Sequence, residues 1–165
     1  MASDKKIFIQ VNQQIVDDIK KELALQGHHL TGALERSLKE NVIDEGGNVI
    51  MTASALEYLE KLEKGIPGNQ IGIDAKDIEK MANYVKLRMG YTGKYALKVA
   101  QLILRKQQKE GNPTKNSYQF SKTGERKFAV EDTFLKNEKI YTERIDTTVI
   151  QQLDKQSDSL QSGII

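Results

Sequence analysis

The stretch Thr31-Gly32-Ala33-Leu34-Glu35-Arg36-Ser37, followed by Gly46-Gly47 and then by Tyr58-Leu59-Glu60-Lys61-Leu62-Glu63-Lys64-Gly65, organises this chain. Taken in order it reads as a turn, a strand, a tight turn, a second strand and a short segment ending in Glu-x-Gly. Leu34 to Ile43 suits strand or helix by propensity alone. The Gly46-Gly47 pair, with Val49, Ile50 and Met51 beyond it, favours a β-hairpin, because glycines accept the positive φ angles of a two-residue hairpin turn. Leu56, Leu59 and Leu62 suggest a short amphipathic piece, and Gly65-Ile66-Pro67-Gly68-Asn69 is the clearest break in the sequence. Nothing in the stretch pairs a nucleophile with a base, clusters metal ligands or builds a phosphate loop.

Working outward, Ile7, Ile9 and Val11 alternate with Phe8 and Gln10, so 7–11 reads as a short strand and 1–11 as an extended N-terminal arm. Asn12 is placed to cap a helix carrying Ile15, Val16, Ile19 and Leu23 on one face, with Gly27 as its stop. Asp17, Asp18, Lys20, Lys21 and Glu22 make the solvated face. Beyond the break, Asp74 or Asp77 starts a helix with Ile78, Met81, Ala82, Val85 and Met89 inward, closed by Gly90. A longer helix, about 94–109, carries Tyr95, Val99, Leu102 and Ile103 on one side and ends at Gly111-Asn112-Pro113. Residues 112–130 form a long polar loop with strand character at 117–120; loops this long in a compact domain commonly carry function. A last helix, about 131–155, has a narrow stripe of Phe134, Tyr141, Ile145, Val149 and Leu153, suited to docking or to a small core. Residues 156–165 read as a flexible tail.

Composition sets the outer bounds. A chain of 165 residues supports one domain, assigned to 1–155. Hydrophobic residues are 38%, aromatics 6%, and Trp is absent, so the core is Leu, Ile, Val and Met. The absence of cysteine excludes disulfides, thiol catalysis and Cys-ligated zinc, and fits a reducing compartment. No apolar run is long enough for a signal sequence or a membrane span, so a cytoplasm, or a particle assembled there, is expected. Net charge is only +2, but Leu104 to Lys127 holds seven basic and two acidic residues. Arg105, Lys109, Lys115, Lys122, Arg126 and Lys127, interleaved with Tyr118, Phe120 and Phe128, are the candidate contacts to a partner or to DNA backbone. The bland alternative is a solvated loop or a surface for an acidic neighbour.

Other motifs carry less. Gly90-Tyr91-Thr92-Gly93-Lys94-Tyr95 has a Gly-Lys pair, but Arg88 and Tyr95 stand where a P-loop needs glycine and hydroxyl, so a helix cap and turn is the better reading. His28 and His29, the only histidines, read as an exposed turn. Catalytic, cofactor and metal residues are expected to be absent.

Thr31, Gly32, Leu34 and Ser37, then Gly46 and Gly47, then Tyr58, Glu63 and Gly65, and a final helix near 131–155, stand in an order that resembles the small head-tail connector and tail-completion (neck) proteins of tailed bacteriophages, the HK97 gp10-like family. The likeness is strongest over 12–65 and loose over 94–155. Residues 68–93 look like a helical insertion, and with the long 112–130 loop they are similar to versions from phages of Bacteroides-type hosts, including crAss-like phages. The resemblance implies an α+β fold with a small antiparallel sheet packed by several helices, and a non-enzymatic structural virion protein. It implies a homo-oligomeric ring between portal and tail, with portal, adaptor or tail proteins as neighbours and non-specific contact with packaged DNA. A nucleic-acid-binding or regulatory module acting through 105–127 is the competing reading.

Overall fold

A computed structural model describes residues 2–28, 31–45 and 48–162, excepting the side chains of 2–4, 152, 156 and 159–162. The elements are helices α1 (Ala2–Leu25) and α2 (Ala33–Ser37), strands β1 (Lys39–Glu45) and β2 (Asn48–Ser54), then helices α3 (Tyr58–Lys64), α4 (Ala75–Met89), α5 (Gly93–Glu110) and α6 (Ala129–Ser162). Short 3-10 turns occupy Gly68–Gln70 and Lys115–Phe120. The class is α+β, mostly helical with one small antiparallel sheet.

The sheet is the expected hairpin, in register from Lys39 opposite Ser54 to Glu45 opposite Asn48. Its turn glycines, Gly46 and Gly47, lie outside the described residues, as do His29, Leu30 and residues 163–165. The first part of the 34–43 segment, which propensity leaves open between strand and helix, belongs to α2, Ala33–Ser37. It is one helical turn, and the strand starts only at Lys39.

The extended arm is corrected: 2–11 is the first half of α1. Ile7, Val11, Ile15, Ile19 and Leu23 recur every fourth residue, and with Val16 all are buried in the main core. Four-residue spacing puts them on one helix face. Ile9, which completed the apparent alternation, is 42% exposed. Asn12 is therefore mid-helix, not a cap. It is 3% exposed, and its Nδ2 donates to the carbonyls of Asn41 (3.0 Å) and Thr52 (2.9 Å), which face each other across the hairpin.

Helix α6 runs antiparallel along α1. Polar contacts mark the pairing: Arg144 donates to Gln14, Tyr141 to Asp18 (3.0 Å), Lys136 to Glu22 (3.0 Å), and Gln26 to Asp132 (3.3 Å). Burial, then the bond to Asp18, holds the Tyr141 phenol far above its ordinary pKa. The expected stripe on α6 is only partly inward. Tyr141 is buried and Ile145 packs on the core, whereas Phe134, Val149 and Leu153 are exposed. The expected tail is also corrected, since α6 continues to Ser162.

Helices α4 and α5 form a hairpin with its own small core of Val85, Ala96 and Ala100, flanked by Ile78, Met81, Ala82, Val99 and Ile103. Asp74 caps α4 by accepting from Asp77 N at 2.8 Å, and Gly90 closes it in the left-handed region. The inward face of α5 differs from the expected one: Tyr95 and Leu102 are 56% and 65% exposed, and the alanines pack instead. The base of the hairpin is a backbone pair, Ile66 N to Asn112 O at 2.7 Å and Asn112 N to Ile66 O at 2.8 Å.

Candidate functional site

The sequence reads 112–130 as a long polar loop, with Arg105 and Lys109 before it on a helix. The 112–130 segment is tied down at several points. Lys122 N donates to Leu25 O (2.8 Å) at the end of α1, and Phe128 N to Glu63 O (3.3 Å) in α3. The strand character expected at 117–120 is absent. Local 3-10 bonds, Ser117 N to Thr114 O and Ser121 N to Tyr118 O, use those backbone donors.

The six candidate cations separate into three groups. Arg126 turns inward. Its Nη1 donates to Ser117 O at 3.2 Å, and burial lowers its guanidinium pKa, with Tyr84, Tyr58 and Tyr118 acting the other way. Lys127 lies along Gly65, its Cε 3.3 Å from where a Cβ would stand, with Nζ 5.9 Å from the Phe128 ring centroid. Both hold the loop to the body and are removed from the contact set. Lys115 and Lys122 are exposed on the loop. Arg105 and Lys109 are exposed on α5, where they meet two residues the segment boundary had cut off, Lys94 and Lys98.

At 100° per residue, Lys94, Lys98, Arg105 and Lys109 share the face of α5 opposite Ala96 and Ala100. The signal for this was in the sequence. From Lys80 to Lys109 there are eight basic residues and no acidic one. Among the described residues none of the four has an ion-pair partner. The α5 pair that does form, Lys106 to Glu110 at 3.9 Å, lies off this face.

The Glu-x-Gly element gains a physical role. Glu63 Oε1 accepts from Val130 N at 2.8 Å, so a carboxylate from α3 caps the N-terminus of α6, where backbone donors lack helical partners. Burial lifts the Glu63 carboxyl above its usual range, opposed by the backbone donors of Val130, Glu131 and Ala129. Gly65, at φ +71, passes so close to Asn112 that an added Cβ would stand 2.9 Å from its carbonyl oxygen.

An open groove of about 510 Å3 lies between the end of β2, α3 and the start of α6, with Leu56, Leu59 and Val130 among its walls. Three of its four carboxylates are engaged, Glu57 with Lys61 (3.6 Å), Glu60 with Lys64 (2.7 Å) and Glu63 in the α6 cap, and Glu131 is the fourth. Gly90 caps α4 and Gly93 starts α5, so the Gly93-Lys94 pair opens a helix that follows another helix, where a P-loop would follow a strand. His28, read as exposed, is half-buried. Burial foremost, then the Arg126 charge, pushes its pKa down to about 4. Among the described residues no three His, Asp or Glu side chains converge as metal ligands, and no helix is long and apolar enough to cross a membrane.

Comparison of the chain with protein-family models, curated proteins and solved structures gives no match.

Proposed function

We propose that this chain is a structural assembly subunit that forms a ring of identical copies, and that it serves in the neck of a tailed phage between portal and tail. The observation that carries the assembly reading is its exposed apolar surface, of which two well-separated clusters are the most useful for a head-to-tail contact. Around the α4–α5 turn, Leu87 (63% exposed), Met89, Tyr91, Tyr95 and Leu97 face solvent. On the distal half of α6, Val149, Ile150 (58%) and Leu153 share one helix face and are also exposed. Apolar patches rimmed by polar residues mark contact sites. Two different patches on one copy are what a head-to-tail contact needs, and such contacts close into rings when the rotation allows. The phage setting and the neighbours come from the order of sequence elements resembling neck proteins.

A mixing experiment tests the assembly. Leu87→Lys with Tyr95→Lys disables the hairpin patch, and Ile150→Lys with Leu153→Lys disables the α6 patch. Each double variant alone should elute as a monomer. Mixed in equal amounts, each brings one intact patch, so a single interface forms and a heterodimer results. Unchanged assembly in either variant, or no heterodimer on mixing, refutes the two-patch arrangement.

A further inference from the structure

We infer that the outward face of α5 is a binding surface for nucleic-acid backbone, with Lys94, Lys98, Arg105 and Lys109 as its phosphate contacts. The charge of this face carries the inference, and ring formation does not enter it. Three observations carry it. The first is alignment: the four cations span sixteen residues of one helix face, about 22 Å over fifteen rises of about 1.5 Å. Gln101 is exposed in the gap between Lys98 and Arg105, so the face stays polar along its length.

The second is the contrast with other helices. On α1, α3 and α6 several surface lysines are neutralised by acids one turn away, as in Lys20 to Asp17, Lys21 to Asp18, Lys61 to Glu57, Lys64 to Glu60 and Lys139 to Glu143, whereas Lys76, Lys80 and Lys86 on α4 have no such pair among the described residues. Such pairs are the ordinary solution for a solvated helix. The α5 face has none among the described residues, so it retains four like charges whose neighbours stand about 6–10 Å apart along the axis, on the order of one Debye length, a cost that a polyanion would relieve.

The third is composition. Exposed Tyr95 and Leu102 lie along one edge of the stripe and Leu97 along the other, but its centre line of Lys94, Lys98, Gln101, Arg105 and Lys109 holds no apolar residue. A protein interface wants an apolar centre. A row of cations without one matches a ligand that is itself a row of charges. Duplex DNA carries one charge per about 1.7 Å of axis, so a 22 Å stripe always has phosphates within reach. Backbone contact of this kind carries no sequence preference.

The test uses the full chain and a fluorescent random-sequence DNA duplex, with anisotropy titrations across salt. Lys94→Gln, Lys98→Gln, Arg105→Gln and Lys109→Gln together remove the stripe. Lys39→Gln, Lys76→Gln, Lys115→Gln and Lys122→Gln together remove the same charge from other exposed positions. The stripe variant should weaken binding at least about tenfold and flatten the log affinity against log salt slope by up to about 3.6, at about 0.9 per lost contact, with little change in the control. Gln101→Arg adds a cation to an intact stripe and should steepen the slope by about 0.9. Equal loss in both quadruple variants would mean net charge alone acts, and would overturn the proposal. So would absence of salt-dependent binding, or polyglutamate competing as well as duplex at equal charge, which would assign the face to an acidic protein.

Discussion

Asn12 joins the helix to the hairpin, and replacing it gives a graded test of that junction. The side chain is almost fully buried, and one amide nitrogen serves two carbonyl oxygens, Asn41 O at 3.0 Å and Thr52 O at 2.9 Å. Asn12→Ala removes both bonds and leaves a small void. At about 1 kcal/mol per bond plus a part-filled void, the loss should be about 2–3 kcal/mol. For a chain of this length that corresponds to a melting temperature lower by about 6–9 °C. Asn12→Leu keeps the volume and should lose less. Asn12→Asp should lose most near neutral pH, because a buried carboxylate oxygen would face two carbonyl oxygens. That carboxyl would have a raised pKa in the folded state, so the deficit relative to wild type shrinks as pH falls and the acid becomes a donor. Urea unfolding followed by circular dichroism, at one protomer concentration, reads all three variants. A loss below about 0.5 kcal/mol for Asn12→Ala, within the range of ordinary surface substitutions, would refute the reasoning. So would an aspartate no worse than alanine at neutral pH.

Three further outcomes follow from the same geometry. His28 titrates near 4 when folded, against 6.5 when unfolded. A depressed folded pKa gives stability that is present above the unfolded value and is lost as pH falls from about 6.5 towards 4. With partial exposure discounted, the loss is about 1–2 kcal/mol, and His28→Gln should lose correspondingly less across that window in pH-dependent melting. Glu63→Ala should destabilise by about 1–2 kcal/mol in urea unfolding by uncapping α6, whereas Glu63→Gln, which still accepts from Val130 N without burying charge, should stay within about 0.5 kcal/mol. A Cβ at Gly68 would stand 2.1 Å from the Gln108 carbonyl oxygen, so Gly68→Ala should cost about 3 kcal/mol or more. Gly90→Ala meets no atom within 4 Å and should cost only the left-handed conformation, about 1–2 kcal/mol, by thermal melts.

Local chemistry was the most legible part of this sequence. The hairpin, the α3 segment, the start of α4 at one of two aspartates, the Gly90 stop and the end of α5 at Gly111 all rest on residues whose backbone preferences act over a few positions. What failed depended on partners distant in sequence. Over five residues Ile7, Ile9 and Val11 look alternating, and the helix wins because the face shared by Ile7, Val11 and Ile15 is buried in a core shared with residues of α2, α3 and α6. On α5 large side chains suggested the inner face, yet Ala96 and Ala100 are the residues that let α4 approach closely. Arg126 could not be separated from the exposed cations by sequence, because its inward turn is made by Ser117 and by aromatics of α3 and α4. Lys94 and Lys98 were findable. Following the helical period from Lys109 towards the N-terminus reaches them, whereas a window that starts at Leu104 does not.

Native mass spectrometry of the purified full chain over a range of concentrations tests the assembly claim most directly. A discrete closed oligomer, of one stoichiometry and with no ladder of larger species, is the expected result. A monomer at every concentration, or an open-ended series of sizes, would contradict it.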